Sequence, residues 1–124
     1  MAFVLAKSYP FAKAEMHNFG MPRVGDTDFA ILFQQMIPGS TRVVHRDDLV
    51  PHLPLFDMGF HHVATEVWDQ SPETESPPSE QTYKVCDGSG EDPFCSGGLP
   101  VLQWKAEDHD YYMGTKNHHC HYHN

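Results

Sequence analysis

The sequence lacks the features that would announce many functions. It has only 8 Lys and Arg against 17 Asp and Glu in 124 residues, a formal net charge of -9, and no basic cluster. That sign is wrong for phosphate, so nucleic acids and anionic membrane surfaces are excluded as expected partners. No apolar run is long enough to cross a bilayer, so no transmembrane segment is expected. The opening "MAFVLAKSYPFAKAE" offers only a five-residue apolar run between Met1 and Lys7 and no basic region ahead of it, so no signal peptide is expected in this chain. Three cysteines are too few for a dense disulfide scaffold, and they form no paired CxxC of a zinc site. Internal repeats are absent.

Motif-borne chemistry is sparse too. There is no phosphate-cradling glycine loop and no HExxH. No serine has glycines two before and two after it; Gly88-Ser89-Gly90 comes nearest and lacks the spacing. No cofactor or metal is expected.

What is present reads as one mixed α and β domain spanning residues 1–124, able to bury roughly two thirds of its unfolded surface. Ala2 to Ala14 has helix-forming composition broken at Pro10, and an extended "AEMHNFG" follows. The spacing predicts a helix over Thr27 to Met36, capped by Asp26, stopped at Pro38-Gly39, with Phe29, Leu32, Phe33 and Met36 on one face. "STRVVHR" and "HHVATEVWDQ" read as strands, the second with Val63, Thr65 and Val67 on one face, and "QTYKVC" reads as an edge strand. Residues 71–80 are a polar, proline-rich surface loop, and "EDHDYYMG" is expected to open a terminal helix capped by Asp108.

Three constellations carry possible chemistry. Asp47 and Asp48 leave a strand just before Pro51 and Pro54, which restrict φ around His52 and Leu53 and stiffen the segment behind a carboxylate. The tail over residues 115–124 gathers His118, His119, Cys120, His121 and His123, soft ligands for zinc or copper. Ligands adjacent in sequence rarely converge on one ion, so a solvated tail is the expected reading. His61-His62 opens a strand. Cys86 and Cys95 bound a Gly/Ser/Pro loop that they could close, which would leave Cys120 unmatched.

Five blocks, "NFGMPRVGDTDFA", "RVVHRDDLVPHLP", "HHVATEVW", "CDGSGEDPFCS" and "DHDYYMG", together resemble successive segments of the class 3, fungal-type lipases and feruloyl esterases. The resemblance covers nearly the whole chain and implies the C-terminal part of an α/β-hydrolase fold, with an incomplete sheet and flanking helices. It implies a Ser, Asp, His triad in that chain order. The acid falls at Asp48, directly before "LVPHLP", and the base at His109 in "HDYYM", where Tyr112 takes the first aromatic place and Met113 replaces a phenylalanine. Asp47 is then a solvated neighbour. The family's GxSxG block would precede "NFGMPRVG"; here "AFVLAKSY" resembles the helix behind it, so the chain is expected to start just after the nucleophile. The resemblance further implies a Cys86–Cys95 disulfide, a partner for Cys120 outside this chain, an ester or lipid substrate for the complete protein, and an extracellular location.

Overall fold

The computed structural model describes residues 13–63, 65–72 and 82–116, together with Val4, Ser8 and Tyr9. Most of the expected helix over Ala2 to Ala14, most of the 71–80 loop, and Cys120 with its histidines lie outside the described residues.

Asp26 caps the helix that follows it. Its extended backbone leaves the carboxylate free to accept the Phe29 N–H at 2.9 Å, and helix α1 runs Thr27–Met36 with Asp28 in its first turn. Pro38 and Gly39 stop it, after the Ile37 N–H has bonded back to the Phe33 carbonyl. The buried stripe runs through Ala30, Phe33 and Ile37, joined by Val63 and flanked by Phe29, Met36, Met16 and Met21. Leu32, expected on that face, points outward instead. Steps of three and four from Ala30 define the covered line, and Leu32 falls beside it.

Four strands make the sheet: β1 His17–Phe19, β2 Thr41–His45, β3 Thr65–Asp69 and β4 Tyr83–Val85, in the order β1-β2-β3-β4. The first three are parallel, with Phe19 beside Val43 and Val43 beside Val67, and β4 closes antiparallel on β3. Parallel β1 and β2 are joined through α1, the crossover that parallel pairing requires. β4 stands at an edge, as its sequence predicted. This is a partial α/β fold.

The two faces of the sheet differ sharply. Arg42, Val44 and Glu66 turn to one side and are buried there. Phe19, Val43, Val67 and Tyr83 turn to the other, where with His17, Thr41, Asp69 and Met113 they line an open hollow of ≈ 380 Å³. Val63 does not share that face with Thr65 and Val67, contrary to the strand reading. It precedes β3 and packs into the α1 core.

The end of the chain also departs from expectation. Glu107–Asp110 forms one 3-10 turn, and a hairpin of β5 Tyr111–Tyr112 and β6 Thr115–Lys116 replaces the terminal helix. Met113 and Gly114 both have positive φ, 53° and 70°, which is the two-residue turn that matches strand twist. Asp108 caps no helix. Its carboxylate accepts the Asp47 N–H at 3.0 Å instead. Among the described residues no helix is long and apolar enough to cross a membrane.

Candidate active site

The chain leaves β2 through Arg46, whose φ of 45° puts a non-glycine residue in the left-handed region and turns the backbone sharply. Asp47 and Asp48 follow directly. The segment is then zipped to the one before the C-terminal turn: the Lys105 N–H donates to the Asp47 carbonyl at 2.8 Å, and the Leu49 N–H to the Lys105 carbonyl at 3.0 Å. Four residues past Lys105 the 3-10 turn presents His109.

The two acids are separated by this arrangement. Asp48 is fully buried, while Asp47 pairs with Lys105 at 3.1 Å near the surface. Asp47 is thus ion-paired and partly covered rather than simply solvated. Both carboxylate oxygens of Asp48 have donors: Oδ1 accepts the Val50 N–H at 2.8 Å, and Oδ2 accepts both His109 Nδ1 at 2.8 Å and the Tyr112 hydroxyl. Both oxygens of this buried carboxylate are thus hydrogen-bonded, as burial of a polar group requires. With Nδ1–H spent on Asp48, the lone pair of a neutral His109 ring sits on Nε2. The His109 side chain is 39% exposed, in contrast to its partner.

Tyr112 and Gly20 complete the surroundings of the imidazole. Burial, together with the neighbouring Asp48 charge, raises the Tyr112 phenol above its ordinary value, so it remains a donor at all working pH. Gly20 ends β1 with a φ of +62°, and a Cβ there would lie 2.7 Å from His109 Cε1 and 2.9 Å from the Tyr112 hydroxyl. Only glycine leaves space for the ring.

Beneath the Asp48 loop lies a charged layer that sequence reasoning missed. Arg23 forks onto Glu91 at 2.7 and 2.6 Å, and its third nitrogen donates to the carbonyls of His52 at 2.7 Å and Pro54 at 2.9 Å. The bend across the cis Leu53-Pro54 bond is thereby held from below. Burial works to raise Glu91, but the hydrogen bonds from Arg23 and the His62 N–H and the Arg23 charge hold it below the ordinary carboxylate value. Arg42, fully buried, pairs with Glu66 at 3.0 Å and donates to the Val63 and Gly90 carbonyls; burial lowers it and Glu66 partly offsets that. The only sequence signal was two arginines and two acids in otherwise ordinary segments.

Two histidines sit in the same layer as neutral rings. His52 stacks on Trp104 with centroids 4.2 Å apart, and burial, reinforced by the Arg23 charge, pulls it down to about 4. His62 donates from Nε2 to the Pro51 carbonyl at 2.6 Å, and burial, then Arg42 and Arg23, pull it to about 3. Neither ring carries a proton charge at neutral pH.

Cys86 and Cys95 are bonded to each other. With Glu66 they form the one group of potential metal ligands whose donor atoms cluster among the described residues, within 4.8 Å. Both sulfurs are consumed by the disulfide, and Glu66 already accepts from Arg42 and the Ser96 N–H. That donor set does not suit an ion.

A partial parallel sheet that carries a buried carboxylate behind β2, hydrogen-bonded to a more exposed histidine from a later loop, defines an α/β-hydrolase type of protein. The family model for class 3 lipases matches residues 1–58. A secreted mono- and diacylglycerol lipase from Fusarium solani is 33% identical over 97 residues, 78% of this chain and 28% of that protein. Lipase II from Rhizopus niveus superposes with a TM-score of 0.79 at 28% identity, covering 93% of this chain and 42% of that one. A triacylglycerol lipase whose catalytic centre is described as a serine protease triad superposes with a TM-score of 0.69 at 31% identity, covering 82% and 36%. The chain belongs to the class 3 lipases. It spans well under half the length of these relatives.

Proposed function

We propose that Asp48 and His109 are the acid and base of a lipid carboxylic ester hydrolase, and that the serine they serve lies outside these 124 residues. The observation that carries this reading is the 2.8 Å contact from His109 Nδ1 to a fully buried, three-donor Asp48. His109 Nε2 would take the proton from a serine hydroxyl as its oxygen attacks the ester carbonyl, and then hand that proton to the departing alkoxide. Water repeats the cycle on the acyl-enzyme. Asp48 keeps its charge throughout and stabilises the imidazolium. The lack of GxSxG spacing around any serine of the sequence supports a nucleophile supplied from outside these residues and, on this reading, no hydrolysis by the chain alone. The Cys86–Cys95 bond, with a relative named as secreted, supports an extracellular setting.

The isolated chain is expected to resist a fluorophosphonate probe, and stoichiometric labelling would place the nucleophile within it after all. Joined in frame behind the part of the Rhizopus niveus lipase that it does not span, the chain is expected to hydrolyse a p-nitrophenyl ester. Asp48→Asn in that hybrid should lower kcat by about 10⁴. A hybrid that hydrolyses the ester equally well after the Asp48→Asn substitution refutes the assignment.

A further inference from the structure

His62 carries a nitrogen that the fold leaves idle. Its backbone N–H donates to Glu91 at 3.0 Å and its ring Nε2 to the Pro51 carbonyl at 2.6 Å, so the neutral ring keeps its lone pair on Nδ1. That Nδ1 is buried, and among the described residues it has no hydrogen-bond partner. On helix α1, Gln34 Oε1 is in the same condition. Buried polar atoms are nearly always paired, so two orphans that meet in one place mark a site.

They do meet. His62 and Gln34 line one pocket of ≈ 290 Å³, together with Ala30, Ile31 and Gln35 of α1 and Ser89 from the loop closed by the Cys86–Cys95 disulfide. That volume is close to the lower end of the range for small-molecule pockets. Both orphans are acceptors, so the occupant must donate at least twice. It must also be neutral. Burial, and then the Arg42 and Arg23 charges, keep the His62 ring unprotonated, and a cation placed against Nδ1 would meet the same desolvation and the same repulsion. An anion would face two acceptor lone pairs and, in the loop, the Asp87 carboxylate that takes the Ser89 N–H at 2.8 Å. Gln35 and Ser89 at the exposed rim add side chains that both donate and accept, and Ala30 with Ile31 adds an aliphatic wall. A ring that bears several hydroxyls and bare C–H faces matches this order of partners. A primary amide donates twice but leaves the rim and the wall unused.

We propose that Gln34, His62, Gln35 and Ser89 form a binding site for a neutral polyhydroxyl ring of monosaccharide size. The site shares no residue with the Asp48–His109 pair.

The test is titration of the ¹⁵N-labelled whole chain with methyl β-glucopyranoside, followed through the Gln34 side-chain amide and the His62 ring nitrogens. The shifts are expected to saturate with a dissociation constant of about 1–10 mM, in keeping with a ligand of roughly thirteen heavy atoms. Gln34→Met keeps the length of the side chain, removes one acceptor, and should weaken binding about tenfold as read at His62. Leu32→Ser, exposed on the same helix and outside the pocket, should bind as the wild type does. Acetamide and methylammonium at the same concentrations should move the signals far less. Signals unmoved by the glucoside would mean that water alone meets the two acceptors, and this overturns the site. So does a response to acetamide or methylammonium as strong as that to the glucoside, an undiminished affinity in Gln34→Met, or an equal loss in Leu32→Ser. No ester is hydrolysed in this assay, so its outcome is separate from that of the Asp48–His109 pair.

Discussion

Acid should unfold this protein through His52 and His62. Both rings are held neutral when folded, at about 4 and about 3, and both have an ordinary value of 6.5 once released. Below 6.5 the unfolded chain therefore binds protons that the folded chain refuses, so stability falls as pH drops and the loss continues toward the folded values. A pH of 5 lies about 1.5 units under the unfolded value and above both folded ones. At about 1.4 kcal/mol per unit, each ring withdraws about 2 kcal/mol between pH 7.5 and 5, or about 4 kcal/mol for the pair. For a chain of this length that is a fall in Tm of about 15 °C. Glu91, held below 4.5, loses its contribution only in stronger acid. The assay is urea unfolding at both pH values, followed by circular dichroism. His52→Phe keeps an aromatic ring on Trp104 and removes one titrating group, so its pH-dependent loss should shrink to about 2 kcal/mol. A wild type equally stable at pH 7.5 and 5, or a variant with an undiminished loss, refutes the reasoning.

Gly20→Ala should unseat His109: a Cβ 2.7 Å from the ring and an unfavourable φ leave the imidazole nowhere to stay. The downfield Nδ1–H resonance of ¹⁵N-labelled His109 should disappear, and its persistence unshifted would show that the ring tolerates the methyl. Arg23→Ala leaves Glu91 only the His62 N–H, removes the Arg23 donors to two carbonyls, and should cost about 3–5 kcal/mol in urea unfolding, since a largely buried carboxylate loses its counter-charge. A loss under about 1 kcal/mol would mean that water replaces the guanidinium at little cost.

Local signals carried much of this structure. Asp26 and Pro38-Gly39 bracket α1 because capping and helix termination act over three or four residues, and β2 and β4 follow from β-branched or edge-type composition. Asp48 and His109 were assigned through resemblance, and spacing alone would have left Asp47 and Asp48 indistinguishable. What separates those two is burial, settled by Lys105 some 57 residues away. The terminal hairpin was missed because helix-compatible "EDHDYY" says nothing of the positive φ at Met113. Arg23 was missed because its partners, His52, Pro54 and Glu91, come from two distant loops that only the folded chain assembles.

Arg23 also bears on how portable this site is. Its guanidinium joins the turn after β1, the proline segment behind Asp48 and the loop closed by the Cys86–Cys95 disulfide. A protein engineer who grafted residues 42–54 onto another scaffold would carry the carboxylate across and leave its moorings behind. The smallest transferable unit includes positions 23 and 91, a set of positions scattered through most of the described chain, so this acid is a property of the assembled sheet and its loops.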